Sequence, residues 1–486
     1  MSPSDPGSTH DLESFVADHE QLGRAMVDLI GAYVRSLDEV RVCPEARPAD
    51  LEALFREPLP RRGQSLDEVL AALRRDVLPN ATAIASPRYF GLFNPTPLPI
   101  GVWVDALCSA LNQNGAAWRN SPAASTMEAR AVRWLCELVG FEETSFGTLT
   151  SGGSEANLLG LKLARDHAAP DAPRDGVAGA PLVVYASEQC HYSLGKSVDI
   201  LGMGRANLRR IETDDRFHVR LDALRRALDE DAAHPARRPC CIVGVAGATS
   251  TGVVDPLDAL ADVAAEYGVW FHVDAAYGGA LAFSDRERHR LRGIARADSV
   301  TIDPHKWMAL PFACGALLVR GGARVLRDAF DSVPDYLSEQ REGDDTGLDF
   351  FRYGQLGSRR ANAFKLWAAM RHLGVEGYAR IVDGHMDLTR YLAQRIDALP
   401  HFERVGEVET AVCCARFVPP GVPDERLDGV QHALQQRVER SGRAWFATTV
   451  LRGRRVLRIN VNSVLTARRH VDDLVEVLER EAAASV

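Results

Sequence analysis

From about residue 120 the chain alternates short, continuously apolar runs with amphipathic stretches of helical period, and nothing else in it constrains the fold as strongly. The runs are "PLVVYAS", "CCIVGVAGA", "VWFHVDAA", "SVTI" and "CGALLVR". A run with no polar alternate cannot lie half in water, so these predict strands covered on both faces, as in a parallel sheet with helices on either side. Between two of them, "DPLDALADVAAEYG" predicts a helix with Asp255 as N-cap, Pro256 at the first helical position and Gly268 past the end. Upstream, a helix from Ala123 to Val139 carries Met127, Ala131, Trp134, Leu135 and Leu138 on one face, and Gly140 ends it. The fold class is therefore α/β, with a mostly parallel central sheet.

A chain of 486 residues is too long for one small core. Three parts are expected: an N-terminal helical arm over 1–85, a large domain over 86–380 and a small C-terminal α+β domain over 381–486. In the arm, Leu22, Met26, Ile30, Tyr33, Val34 and Leu37 form one helical stripe, and a second helix is expected around 66–77. Two such helices cannot bury a core alone, so they must pack on the rest of the protein or on a partner chain. In the C-terminal part, "RRVLRINVNS" alternates, with Leu457, Ile459 and Val461 facing one way and Arg458 and Asn460 the other.

Composition narrows the function classes. A net charge of −9 argues against a nucleic-acid-binding surface, and no apolar run reaches membrane-spanning length. The opening "MSPSDPGSTHDLESF" has neither the basic region nor the apolar core of a secretory signal. Nine cysteines without a C-x-x-C spacing predict reduced, buried thiols and a cytoplasmic location.

Ligands of open parallel sheets sit beyond the carboxyl ends of the strands, and four features lie at such ends. In "FGTLTSGGSEANLLGLKLA" a strand runs through Ser151, Gly152, Gly153 and Ser154 straight into a helix. That pattern suits a phosphate against unpaired N–H groups, and equally a tight turn with a serine cap. In "VWFHVDAAYGGA", Asp274 ends a buried strand, where a carboxylate needs a cationic partner, and Ala275 and Ala276 leave room for a flat group. His191 follows "PLVVYAS", placed either to cap or to stack on a planar ligand. Lys306 stands in "SVTIDPHKWMAL", in company apolar enough to activate an amine by desolvation. An amine, a carboxylate, a phosphate cradle and a stacking imidazole together describe pyridoxal phosphate.

The segments "TSGGSEAN", "HVDAAYGG" and "DPHKW", in this order, resemble those of the pyridoxal-phosphate-dependent group II amino-acid decarboxylases, which act on aromatic amino acids, glutamate or tyrosine. The likeness extends from "SPRYFGLFNPTP" through "LGSRRANAFKLW" to "RVLRINVNS". It implies the aspartate-aminotransferase-like fold type I, a homodimer with active sites between subunits, a dimer-swapped arm, and decarboxylation of an L-amino acid to its amine. By the same resemblance Lys306 is the Schiff-base lysine, Asp274 pairs with the pyridine nitrogen, and His191 and Ala276 cover the two ring faces. Thr249 reaches the ring hydroxyl, Gly153 and Ser154 hold phosphate, His305 lies near phosphate and substrate, and Gly357 and Ser358 serve the neighbouring subunit's phosphate. Tyr336, in the polar loop "DSVPDYLSEQREGDDTGLDF", matches the tyrosine that protonates the substrate carbon.

Phe93, Asn94, Trp118 and Arg458 are the candidate substrate contacts. Arg458 is placed either to clamp a carboxylate or to pair across a domain interface. Where aromatic-acid members of the family carry Tyr-Phe-Pro-Thr, this chain has Leu92, Phe93, Asn94 and Pro95, and Ala116 replaces a further aromatic. An aromatic or other bulky substrate is expected. Asp303 stands where several relatives have asparagine near phosphate, so it is expected either to hydrogen-bond elsewhere or to be paired with a cation. Two alternatives remain open: aldehyde synthase or aminotransferase-like chemistry on the same scaffold, and a metal-dependent hydrolase using His272, Asp274 and His305.

Overall fold

The computed structural model describes residues 12–331 and 347–484. Twelve strands form two sheets among these residues. In chain order they are β1 (Tyr89–Phe90), β2 (Phe146–Thr150), β3 (Leu182–Ser187), β4 (Leu208–Ile211), β5 (Arg238–Val245), β6 (Trp270–Asp274), β7 (Ser299–Ile302), β8 (Gly315–Val319), β9 (Phe402–Val405), β10 (Val412–Phe417), β11 (Trp445–Leu451) and β12 (Arg454–Asn460).

The large sheet has the order β2-β8-β7-β6-β5-β3-β4. Neighbours are parallel from β7 through β6, β5 and β3 to β4, whereas β8 runs antiparallel to both β7 and β2. The mostly parallel expectation thus holds with one reversed strand, formed by "GALLV". β3, β6, β7 and β8 are buried along their whole length, as their uninterrupted apolar sequence requires. Helix Gly153–Ala168 packs against this sheet so closely that a Cβ on Gly160 would come within 2.6 Å of the His272 ring. Glycine is required there by close approach.

The smaller sheet has the order β1-β11-β12-β10-β9, so Tyr89 and Phe90 pair with a strand more than 350 residues later. Helix Ala363–Asp397 contributes to both cores, through Leu366 and Met386 to the larger and Leu392 and Ile396 to the smaller. The alternation of β12 is present, but its polar face is not solvated: Arg458 and Asn460 are buried against the large sheet's loops. Helix Leu12–Ser36 buries only Leu29 in its own chain, leaving Leu22, Val27 and Val34 exposed. A short helix, Pro48–Leu54, precedes the one expected around 66–77, which is Leu66–Ala72 followed by one π-helical turn over Leu73–Val77.

Asp255 is not the N-cap. The helix starts at Leu257 with Pro256 in the cap position, and the Asp255 carboxylate turns inward to accept the N–H groups of Val219 (3.0 Å) and Val245 (2.9 Å). Two buried strand-edge donors outcompete the helix end for it. Burial raises its pKa to about 6, against the pull of those two N–H groups.

Beside it, His218 Nε2 lies 2.7 Å from Glu409 Oε1, and Glu409 Oε2 accepts the Val254 N–H at 2.9 Å. This ties the segment before β10 to the large sheet's crossovers. The hydrogen bond to Glu409 raises the His218 pKa, outweighing burial. A raised folded pKa means the contribution is full below the unfolded value near ~6.5 and fades as pH climbs through the folded value. His218→Gln is therefore expected to cost about 1 kcal/mol of stability at pH 6 and much less at pH 9. Urea unfolding at both pH values measures it; equal losses would mean that the imidazolium contributes nothing.

Candidate active site

Five carboxyl ends of the large sheet open on one cavity of 330 Å³, the size of a small-molecule site. Around it the fold gathers Phe93, Gly153, Ser154, His191, Thr249, Asp274, Ala276, His305 and Lys306 from six separate stretches of chain.

β2 delivers the glycine turn. The N–H groups of Gly153 and Ser154, first in a sixteen-residue helix, have no acceptor among the described residues, while Glu155 accepts from Ser151 N–H and Oγ. Two free donors at a helix start, facing a cavity, fit a phosphate. A Cβ on Gly153 would sit 2.7 Å from Asp303 Oδ2 and 3.1 Å from the Ala276 Cβ, so the turn is pressed onto the loop after β7.

β6 ends in Asp274, 7% exposed. Its Oδ2 accepts from Asn157 Nδ2 at 2.8 Å and its Oδ1 from the Ala276 N–H at 3.2 Å. No cation of the protein pairs with it among the described residues, so a protonated ring nitrogen fits as its partner. Asn157 escaped the sequence reading. Its signal was a polar residue on the sheet-facing side of "GSEANLLGLKLA", among buried Ala156, Gly160 and Leu161.

Lys306 differs from expectation in its surroundings. Its Nζ lies 2.9 Å from Asp303 Oδ2, and 5.8 Å from the centre of the Phe93 ring. Of the two settings expected for Asp303 the structure has the paired one, with Lys306 itself as the cation, and the amine's company is a carboxylate as well as apolar. Among the described residues Asp303 Oδ1 has no partner, although its side chain is 1% exposed. His305 Nδ1 accepts the Cys314 N–H at 3.0 Å, which puts its proton on Nε2, 3.7 Å from Asp303 Oδ2. Burial lowers the pKa values of both His305 and His191.

A carboxylate against a phosphate cradle repels the anion. Asp303→Asn is therefore expected to bind inorganic phosphate about tenfold more tightly in the cofactor-free protein. Calorimetric titration reads this directly, and unchanged affinity would place Asp303 electrically outside the cradle.

The remaining candidates lie in three settings. Phe93 stacks on Tyr277 at 3.6 Å between centroids, and the Arg458 guanidinium lies 4.6 Å from the Phe93 ring centre. Arg458 donates to the carbonyls of Thr249 (2.5 Å) and Gly91 (2.9 Å); it is 2% exposed, has no carboxylate partner, and leaves Nη2 without an acceptor among the described residues. Asn94 is half-buried and Trp118 is 37% exposed, its backbone N–H donating to Asp349; neither borders the cavity of this chain. Gly357 and Ser358 are exposed and also away from the cavity. Tyr336 lies outside the described residues. The hydrolase alternative required His272 as a ligand, yet both its nitrogens are within hydrogen-bond distance of Ser299 and Asn157.

Comparison with known proteins agrees with this chemistry. Residues 48–418 match the pyridoxal-dependent decarboxylase conserved domain. Tryptophan decarboxylase 1 of Oryza sativa subsp. japonica is 33% identical, over 93% of this chain and 91% of its own length. Phenylacetaldehyde synthase of Arabidopsis thaliana is 30% identical, over 96% of each chain. The crystal structure of Oryza sativa TDC with PLP and tryptamine superimposes with a TM-score of 0.89 at 30% identity, covering 99% of both chains. With a fold, a cradle and an amine that suit pyridoxal phosphate, and a match over three quarters of its length, the chain belongs to the pyridoxal-dependent decarboxylase family, and its reaction is the cofactor-dependent decarboxylation of an amino acid.

Proposed function

We propose that the substrate is an aromatic L-amino acid, released as its amine after loss of carbon dioxide. The observation that carries this reading is Phe93, an aromatic ring that borders the cavity beneath the Lys306 ammonium. Relatives named as tryptophan decarboxylases support it.

When bound, pyridoxal phosphate supplies an aldehyde that captures amines and a conjugated ring that takes up the electron pair left by departing carbon dioxide. Lys306 is the proposed attachment point. Asp274 accepts hydrogen bonds on both oxygens, which favours its ionised form, and as a carboxylate it would hold a proton on the ring nitrogen. His191 and Ala276 would flank the bound ring, Thr249 would offer its hydroxyl to it, and Gly153, Ser154 and His305 would hold the phosphate. Arg458, a buried guanidinium whose Nη2 has no acceptor among the described residues, would orient the substrate carboxylate; Phe93 would bound the substrate side chain from within the chain, and Asn94 and Trp118, which lie off its cavity, would do so from across the dimer. Tyr336 returns a proton to the substrate carbon.

The working unit is a homodimer. Its support is the apolar surface left on helix Leu12–Ser36, on Trp103, Leu107 and Leu111 of helix Pro99–Leu111, and on Phe312 at the cavity edge. In this reading 1–85 form the exchanged arm, 86–380 the cofactor domain and 381–486 the small domain, and Gly357 and Ser358 reach the other subunit's phosphate. Nine free, buried cysteines support a reducing, cytoplasmic setting, and among the described residues no helix is long and apolar enough to cross a membrane.

Carbon dioxide release across a panel of amino acids tests the substrate. Tryptophan, tyrosine or phenylalanine should exceed glutamate by at least about 10²-fold, since an aromatic pocket leaves a second carboxylate unpaired. Preference for an acidic or aliphatic substrate would overturn the reading. The similarity to a phenylacetaldehyde synthase favours aldehyde formation as a second reading. Tyr336→Phe separates the two: it should shift product from amine to aldehyde, and an unchanged ratio would remove Tyr336 from the chemistry.

A further inference from the structure

Beneath the cavity a line of buried polar side chains that no step above uses runs from Trp270 up to Asp274 and His191. Trp270 Nε1 lies 2.9 Å from Ser299 Oγ, Ser299 Oγ 2.8 Å from His272 Nδ1, and His272 Nε2 3.0 Å from Asn157 Oδ1. Asn157 Nδ2 then reaches Asp274 Oδ2 at 2.8 Å and Ser193 Oγ at 3.3 Å, and Ser193 Oγ lies 2.8 Å from His191 Nδ1. Thr301 Oγ1 adds a second contact to Asn157 Oδ1 at 2.8 Å. Ser193, His272, Asn157, Ser299 and Thr301 are each no more than 2% exposed, so every proton must find its acceptor inside the line.

The chemistry of the two ends fixes its direction. An indole N–H only donates and an ionised carboxylate only accepts. Ser299 Oγ, already accepting from Trp270, gives its proton to His272 Nδ1, because it has no other partner among the described residues. His272 is then neutral with its proton on Nε2, consistent with burial, which lowers its pKa. That proton and the Thr301 hydroxyl both point at Asn157 Oδ1, so the Asn157 amide group faces the other way. It donates to Asp274 and to Ser193.

Ser193, now an acceptor, passes its own proton to His191 Nδ1, where the Ser193 N–H also points at 3.3 Å. The proton of a neutral His191 ring is thereby left on Nε2, which has no acceptor among the described residues and belongs to a side chain bordering the cavity. Running the line backwards would strand the Ser299 proton and turn an amide oxygen onto Asp274. Both are costly when buried.

We propose that Asn157 is a positioning residue: it holds Asp274 as an accepting carboxylate and His191 as the Nε2–H tautomer at once, so the group proposed for the ring nitrogen and the group proposed for the ring face are set by one device. The geometry stands on its own; its consequence for catalysis rests on the roles proposed above for Asp274 and His191.

Nitrogen-15 NMR of histidine-labelled, full-length holoenzyme tests it, with His191 and His272 assigned by their Gln variants. In the unsubstituted protein both rings should show a bare, accepting Nδ1 and a protonated Nε2; an Nδ1–H tautomer at either ring overturns the proposal without any further variant. In Asn157→Leu the His191 preference should fall by about tenfold, the weight of one hydrogen bond. In Asn157→Asp, where residue 157 accepts from Ser193, the His191 tautomer should invert. Ser193→Ala should loosen His191 and leave His272 unmoved, and this variant decides the matter if neither Asn157 variant folds. His191 signals unchanged in whichever of these variants fold would also overturn the proposal. Carbon dioxide assays on the same samples report separately: intact tautomers without decarboxylation would count against the proposed function and not against the network.

Discussion

Lys306→Ala is expected to reduce decarboxylation by at least about 10⁴-fold, because a tethered amine acts at an effective concentration no free amine can match. The same substitution removes the only cation within hydrogen-bond reach of Asp303 among the described residues, at a site where the carboxylate is 1% exposed and Oδ1 already lacks a partner. A loss of about 2 kcal/mol of stability should therefore accompany it. The two effects separate in the double variant Lys306→Ala with Asp303→Asn. Stability should return, because the stranded charge is gone, while turnover should not. Borohydride reduction followed by peptide mass spectrometry reads the attachment: an adduct on the Lys306 peptide is expected in the unsubstituted chain and none in the variant. Turnover within tenfold of the unsubstituted enzyme would refute the role of this lysine.

Asp274→Asn is expected to cost about 10³-fold in turnover with little change in stability. An amide cannot hold a proton on a ring nitrogen as a carboxylate does, so the electron sink weakens even though the side chain keeps its shape. Asn157 would still find an acceptor in the new amide oxygen, so the shorter bond at Oδ2 survives and only the longer one from the Ala276 N–H to Oδ1 is lost. Absorbance of the holoenzyme across pH distinguishes this from a structural defect, because loss of the ring-nitrogen proton changes the spectrum while unfolding releases the cofactor. A variant with both the spectrum and the rate of the unsubstituted enzyme would remove Asp274 from the chemistry.

Much of the architecture was legible because it is written in local pattern. Strands β3, β6, β7 and β8 appear as uninterrupted apolar runs, since a strand buried on both faces has no polar position to show. Gly140 marked a helix end because its φ of +82° favours glycine. The cofactor's requirements were legible for a related reason: Asp274, Lys306 and the glycine turn sit where strands end, and strand ends are where a parallel sheet places ligands.

Other features had no local signature. Asp255 carries a good N-cap sequence, yet its carboxylate went to two backbone donors from other segments. Arg458 alternates correctly along β12, but only the docking of the small sheet on the large one converts its polar face into a buried one. Asn157 looks like a blemish on an apolar helix until His272 and Asp274 arrive on either side of it.

By itself, then, the sequence determined the α/β class, the covered parallel sheet and the residue types gathered at its carboxyl edge, because hydrophobic period and chain-reversal chemistry act over a few neighbouring residues. Only the tertiary structure decided that Lys306 is paired with Asp303, that β8 runs against its neighbours, and that one line of protons reaches from Trp270 to Asp274 and His191. The Lys306–Asp303 pair is only three positions apart, yet it forms in the turn that docks against the glycine loop; the others depend on contacts between residues up to more than a hundred positions apart, and a hydrogen bond buried between distant segments has a direction only after every donor and acceptor around it has been brought into place.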